Sequence, residues 1–227
     1  MKLHFTLEID GGSRPLEADI RQLVIAGWAG RDRAAIEHHI EELAEIGVPR
    51  PSSVPLYYRV AANQVTQDAT IQVVGGDSSG EVEAFVFKVD GELYLSIASD
   101  HTDRKLEAHS VALSKQICVK PVATTAWRLA DVAGHWDELQ VRSRIIENGA
   151  EVLYQDGTLA SLRTAEDLIA GYTGGKGLEE GTGMTCGTVA VIGGIRPAAT
   201  FEMELHDPRS GRSIRHRYTA TVLPEVA

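Results

Sequence analysis

Glu81 and Glu83 stand two residues apart in the run Glu81-Val82-Glu83-Ala84-Phe85-Val86-Phe87. In a strand that spacing sends both carboxylates out of one face, and Phe85 and Phe87 continue the same face toward the interior. Two carboxylates side by side on an inward face repel each other and need a cation or a shared proton to remain there. The alternative is an exposed alternating strand whose polar face happens to be glutamate. Further on, Leu93-Tyr94-Leu95-Ser96-Ile97-Ala98 delivers Ser99-Asp100-His101-Thr102-Asp103-Arg104, which brings more carboxylates and an arginine, and Lys115 follows in Leu113-Ser114-Lys115.

These residues need a β-rich frame, and the turn chemistry predicts one. Asp90-Gly91, Asn148-Gly149, Asp156-Gly157 and Ser210-Gly211 are tight-turn dipeptides between alternating segments. Strands are expected over residues 56–60, 81–89, 92–99, 139–146 and 150–155, with 201–207 paired to 213–222. Short helices are expected over 103–113 and 165–170. The chain opens on an alternating strand through Asp10, and the apolar run Leu23-Val24-Ile25-Ala26 reads as a buried strand that stops at Gly27. From Arg31 to Ile46 the apolar residues Ala35, Ile36, Ile40, Leu43 and Ile46 recur at helical steps, and Gly47 with Pro49 ends the pattern. The Pro- and Ser-rich piece 49–53 reads as a linker, so an N-terminal strand–helix segment over 1–54, a possible lid, is expected beside a main body over 55–227.

The 227 residues are 43% hydrophobic, enough to fill a real core. A formal charge of −10 without an acidic tail works against binding to nucleic acid or an anionic membrane, both of which favour basic surfaces. No run approaches the roughly 18 apolar residues of a membrane span, and the start lacks the pattern of a signal peptide. Cys118 and Cys186 lie far apart and outside any Cys-x-x-Cys spacing, which fits a reducing compartment and a cytoplasmic address.

The stations just described, taken in order, resemble those of fumarylacetoacetate hydrolase-like proteins. That family carries a Glu-x-Glu strand, then Asn-Asp-x-Ser-Ala-Arg-Asp, then a lysine in a Gly-Lys-Ser segment before a proline-containing turn. It closes with Ser-Gly-Thr-Ile or Thr-Gly-Thr-Pro after Pro-Gly-Asp. Here Glu81-Val82-Glu83, Asp100 with Arg104, Lys115, and Leu178-Glu179-Glu180-Gly181 followed by Cys186-Gly187-Thr188-Val189 are similar at each station. Pro55-Leu56-Tyr57-Tyr58-Arg59 resembles the strand that opens the family's core, and Phe201-Glu202-Met203-Glu204-Leu205 with Gly211 its closing hairpin. Departures are Ser114-Lys115-Gln116-Ile117-Cys118, Lys120-Pro121-Val122-Ala123 in the turn, and Lys105 after the arginine. They mark a remote branch and put the substrate in doubt more than the metal.

The resemblance implies a mixed α/β, β-rich fold, a β-barrel or β-roll core with peripheral helices, and a homodimer. It implies a metal on Glu81, Glu83 and Asp100, with Asp103 as reserve for Asp100 and His101 for the pocket wall. Oxygen ligands and the resemblance both point to Mg²⁺, with Mn²⁺ or Ca²⁺ as other occupants. Arg104 and Lys115 would supply positive charge to a small-molecule carboxylate substrate or a developing oxyanion, and Thr188 a hydroxyl or backbone donor. Cys186 reads as core packing rather than as a nucleophile.

Family members also often carry a histidine and a glutamate three residues apart on a mobile segment. His38 with Glu41, or His39 with Glu42, has that spacing on the N-terminal helix and could activate water; the alternative is a solvated polar face. The activity implied is metal-dependent hydrolysis of a carbon–carbon bond in an acylpyruvate-like or other 2-oxo or 1,3-dicarbonyl acid, through an enolate. Decarboxylases, hydratases and isomerases on the same fold, a non-catalytic small-molecule binding protein, and an assembly protein with no site are the competing readings.

Overall fold

The computed structural model describes residues 1–45 and 50–226, the side chains of His39, Glu42, Leu43 and Glu45 excepted. The chain opens with β1 (Lys2–Ile9), β2 (Gly12–Asp19) and β3 (Gln22–Gly27), followed by helix α1 (Arg33–Glu45). It continues through β4 (Leu56–Val60), β5 (Val65–Thr66), β6 (Thr70–Val74) and β7 (Ser78–Ser79) to the hairpin of β8 (Val82–Val89) and β9 (Glu92–Ser99). Next come β10 (Thr102–Asp103), the short helices α2 (Arg104–Glu107) and α3 (Val111–Gln116), β11 (Lys120–Pro121), β12 (Thr125–Arg128) and α4 (Leu129–Val132). The last part holds β13 (Gln140–Glu147), β14 (Ala150–Thr158), α5 (Ala165–Thr173), β15 (Thr182–Thr188), β16 (Thr200–His206) and β17 (Ser213–Leu223).

Two sheets carry the architecture. The larger has the order β2-β1-β12-β9-β8-β15-β3-β4, and the smaller β14-β13-β16-β17-β6. One core lies between them: Val82, Ala84, Val86, Leu95 and Ile97 of the large sheet meet Val141, Ile145, Phe201, Met203, Leu205 and Ile214 of the small one. A second core gathers the other face of the large sheet and includes residues of both its end strands, Leu16 on β2 and Val60 on β4. That sheet is therefore curled around its own side chains. It is not a closed barrel, because β2 and β4 do not pair. β8 is buried on both faces, with Phe85 and Phe87 stacked in the second core and Phe87 against Phe5 at 4.6 Å.

Most expected elements are present, and the departures have physical reasons. Asp90-Gly91 and Asn148-Gly149 turn their hairpins with both residues at positive φ, as a two-residue hairpin turn requires. Asp156-Gly157 does not turn: it lies inside β14, where a β-carbon on Gly157 would stand 3.1 Å from Val189, so the glycine admits that side chain. The helix expected over 103–113 is two, because Ser110 is extended and caps a new start at α3. β1, β2 and β3 are strands of the same sheet as β8 and β9, which makes α1 the part of residues 1–54 that stands outside it. Ile46, Gly47 and Pro49, expected to end that helix, lie outside the described residues. No helix among the described residues is long and apolar enough to cross a membrane.

Candidate metal centre

The β8–β9 hairpin builds the site through its register. Val82 pairs with Ser99 and Glu83 with Ala98, and one step beyond, the Asp100 amide donates to the Glu81 carbonyl at 3.0 Å. Residues directly opposed across an antiparallel pair share a face, so Asp100 joins Glu81 and Glu83. One carboxylate oxygen from each lies within 4.8 Å of the others. Glu83 and Asp100 are buried, and the Glu81 side chain retains 14% exposure.

Each carboxylate has a separate support. Glu81 faces Arg104 at 2.9 Å, and Arg104 is fixed in turn by Glu107 at 2.8 Å and by donating through Nε to Ser79 Oγ at 2.7 Å. Glu83 accepts a hydrogen bond from the backbone amide of Gly187 at 2.8 Å. A bulge aims that amide: Thr185 pairs with Phe85 but Thr188 with Glu83, so β15 uses one residue more than β8 over this step. Gly187 has φ +86°, and a β-carbon there would stand 2.7 Å from that of Ala29, so the position demands glycine. Asp100 takes two cations. Lys115 Nζ donates to Oδ2, while Lys120 Nζ stands 3.1 Å from Oδ1 and donates to the carbonyl of His101. Although Lys120 is at ion-pair distance, its ammonium is not aligned for a hydrogen bond, and Oδ1 is buried without one.

The electrostatics follow from burial and these pairs. Burial, then the charges of Asp100 and Glu81, push the Glu83 carboxyl up to about 8. Burial also works against the Asp100 carboxylate, but Lys115 and Lys120 outweigh it and hold the group below its ordinary value. Burial pulls Lys115 down, and Asp100 and Glu81 more than restore it; Lys120 ends lower than an ordinary lysine because burial dominates there. A buried carboxylate oxygen without a hydrogen bond, beside a carboxyl that burial and its acidic neighbours push up to about 8, is an arrangement that a divalent cation would relieve. A donor set of carboxylate oxygens suits a hard ion. The residues therefore fit a metal, and the triad could bind one.

Behind the triad lies a buried polar chain. His101 contacts Tyr218 Oη through Nδ1 and Ser78 Oγ through Nε2, both at 2.9 Å, and Tyr218 reaches Ser99 at 2.8 Å. Burial, then the charges of Lys120 and Arg104, lower the His101 imidazole to about 3, so it is neutral at physiological pH. His101 thus sits inside the wall rather than on its surface. Asp103 points elsewhere, capping α2 by accepting from the Leu106 amide at 2.8 Å.

The other expected residues are placed unevenly. Arg104 is engaged by Glu81, Glu107 and Ser79, so in this structure it orients a carboxylate. The Thr188 hydroxyl donates to the Val82 carbonyl and accepts from Gln155, both at 2.7 Å, which leaves its own proton committed. Cys186 is fully buried, and burial followed by the Glu83 charge pushes its thiol far up, as core packing requires. His38 and Glu41 are exposed on α1, and the side chains of His39 and Glu42 lie outside the described residues. Ser78 and Tyr218 carry no signal in the sequence, and Lys120 and Gly187 stand there in motif segments without a role; for Lys120 the available signal is a single charge inside the apolar run from Ile117 to Ala123.

Fold and acidic triad together define a protein of the fumarylacetoacetate hydrolase-like fold. Yeast ynq8, a fumarylacetoacetate hydrolase family protein, superposes with a TM-score of 0.63 at 14% identity, over 92% of this chain and 96% of that one. Cg1458 gives 0.65 at 17% identity over 94% and 80%. A 2-keto-3-deoxy-D-arabinonate dehydratase, complexed with magnesium and 2,5-dioxopentanoate, gives 0.62 at 15% over 96% and 79%. Within this class the chain belongs to the family described as Protein of unknown function (DUF2848), whose model matches residues 26–218. No curated protein sequence matches it.

Proposed function

We propose that this protein is a metal-dependent enzyme acting on a 2-oxo or 1,3-dicarbonyl acid, and specifically a hydrolase that cleaves a carbon–carbon bond in an acylpyruvate-like substrate. The observation that carries the reading is the convergence of Glu81, Glu83 and Asp100 within 4.8 Å on one face of a buried hairpin, with Lys115 beside them. Glu81, Glu83 and Asp100 would hold Mg²⁺, or Mn²⁺ or Ca²⁺ in its place. When bound, the ion supplies Lewis-acid stabilisation for the negative charge that develops on a 2-oxo acid as the bond breaks.

The remaining work falls to the chain's own residues. Lys115, which donates to Asp100, meets the substrate carboxylate. Arg104 holds Glu81, and the Gly187 amide holds Glu83. His38 or His39, oriented by Glu41 or Glu42, takes a proton from water when α1 closes over the site, and the site works as a homodimer in the cytoplasm. The test is a panel of 2-oxo and 1,3-dicarbonyl acids with and without Mg²⁺, followed by loss of the enol absorbance. Turnover that needs the metal is expected; absence of heat on titrating Mg²⁺ or Mn²⁺ would instead leave a binding protein without metal.

A second reading is favoured by the exposure of His38 and Glu41. A decarboxylase, hydratase or isomerase working through the same enolate needs no histidine brought in from α1 to activate water. Normal turnover of H38N/H39N would select it.

A further inference from the structure

Asp100 is faced by two lysines whose surroundings differ. Lys120 is wholly buried, on a two-residue strand that runs parallel to β5 (Lys120 beside Val65), and the following residue but one, Val122, bridges to Ala98, the partner of Glu83. Its ammonium touches two successive residues of the site, Asp100 through Oδ1 and His101 through the carbonyl. That pairing fixes its backbone, and its side chain is enclosed. Lys115 stands in the last turn of α3, a surface helix, and its side chain retains 8% exposure. Its ammonium donates to Asp100 Oδ2 and lies 5.8 Å from the centroid of the Tyr58 ring. Tyr58 in turn is packed at Gly27, where the chain leaves β3 toward α1.

A carboxylate with only one cation would lose its neutralisation whenever that cation turned to another anion, at a cost that burial makes large. With two, one can leave. We propose that Lys120 is a positioning residue that fixes Asp100 as a ligand in every state of the site, so that Lys115 alone is released to the carboxylate of an incoming anionic substrate. Lys115 then exchanges one carboxylate for another and stays paired, while Asp100 keeps Lys120 throughout. The inference rests on the metal reading above and adds a division of labour that the triad by itself does not contain.

The experiment compares K120M and K115M with the wild type by calorimetry, using Mn²⁺ alone and then oxalate as the probe anion on the Mn²⁺-saturated protein. K120M is expected to lose roughly 10- to 100-fold in Mn²⁺ affinity, the usual effect of removing a group that orients a ligand, while oxalate still binds the saturated protein as it binds wild type. K115M is expected to do the reverse, keeping Mn²⁺ and losing oxalate. A lysine that merely supported the fold would lower the melting temperature without this split. Should K120M fail to fold, K120Q, which keeps a donor for the His101 carbonyl, takes its place. Unaltered Mn²⁺ affinity in the folded variant overturns the role given to Lys120, and unaltered oxalate binding in K115M overturns that given to Lys115. If wild type itself takes up no Mn²⁺, the metal reading fails separately. The metal-free crystal structure of K120M then decides: Asp100 turned away from Glu81 supports the positioning role, and Asp100 unmoved refutes it.

Discussion

The hairpin corner of β8 and β9 and the helix α1 both present ionisable residues at suggestive spacing, yet the fold treats them differently. At the corner, Glu83, Asp100, Lys115, Lys120 and Arg104 are withdrawn from water and each is held by a named partner, because a buried charge without one is too costly to keep. On α1, His38 and Glu41 are exposed, and contacts made in solvent contribute little. Arrangement is therefore dictated by the fold in the first region. In the second, exposure imposes no such demand.

The sharpest way to break this contrast is D100N. It leaves two buried ammonium groups without their anion, so denaturant unfolding should show a loss of about 3 to 5 kcal/mol, together with loss of metal binding. A loss below about 1 kcal/mol, no more than an exposed pair contributes, would mean that the corner is not held by its charges.

E83Q probes the same region with a smaller effect and a definite pH signature. The Glu83 carboxyl titrates near 8 in the folded protein and near its ordinary value unfolded, so the folded state binds more protons between about 4.5 and 8. Its contribution to stability is present below 4.5 and is lost as pH rises through 8. Thermal melts of the metal-free protein between pH 5 and 8.5 should show that decline in wild type and a shallower one in E83Q, and the variant should bind metal more weakly. Parallel melting profiles would contradict the burial assigned to this carboxyl.

For α1, H38N/H39N should lower turnover roughly a hundredfold while leaving metal affinity and melting temperature nearly unchanged, the signature of general-base loss. The smallest effect is expected from D103A. Removing the α2 cap should cost about 0.5 to 2 kcal/mol in unfolding free energy and leave metal affinity intact. A D103A protein that no longer binds metal would exchange the roles given to Asp103 and Asp100.

The corner was legible in the sequence because its information is local: alternation places Glu81 and Glu83 on one face, and the Asp90-Gly91 turn sets the register that brings Asp100 opposite. What was not legible depends on distant pairing. β2 contains Pro15, which argues against a central strand, and the structure places it at the sheet edge, where the missing amide is tolerated. β12 pairs in parallel with β1 across more than a hundred residues, and no local pattern announces that. Lys120 was hidden for the same reason, since only its parallel pairing at β5 turns a lysine in an apolar run toward Asp100. Asp156-Gly157 shows the opposite error, where a local turn signal yields to a tertiary demand for space.

Tyr218 carries a consequence in the order of synthesis. It lies in β17, more than a hundred residues after Asp100, yet its hydroxyl holds both Ser99 and His101 behind the acidic triad. A nascent chain that has released Glu81, Glu83 and Asp100 from the ribosome still lacks the back of their wall for more than a hundred further residues. Until β17 docks, His101 has only Ser78 to satisfy its ring, and the carboxylates face a corner open to water on a side that the finished protein closes. Chains interrupted before residue 218 thus contain every expected ligand without the packing that fixes their geometry.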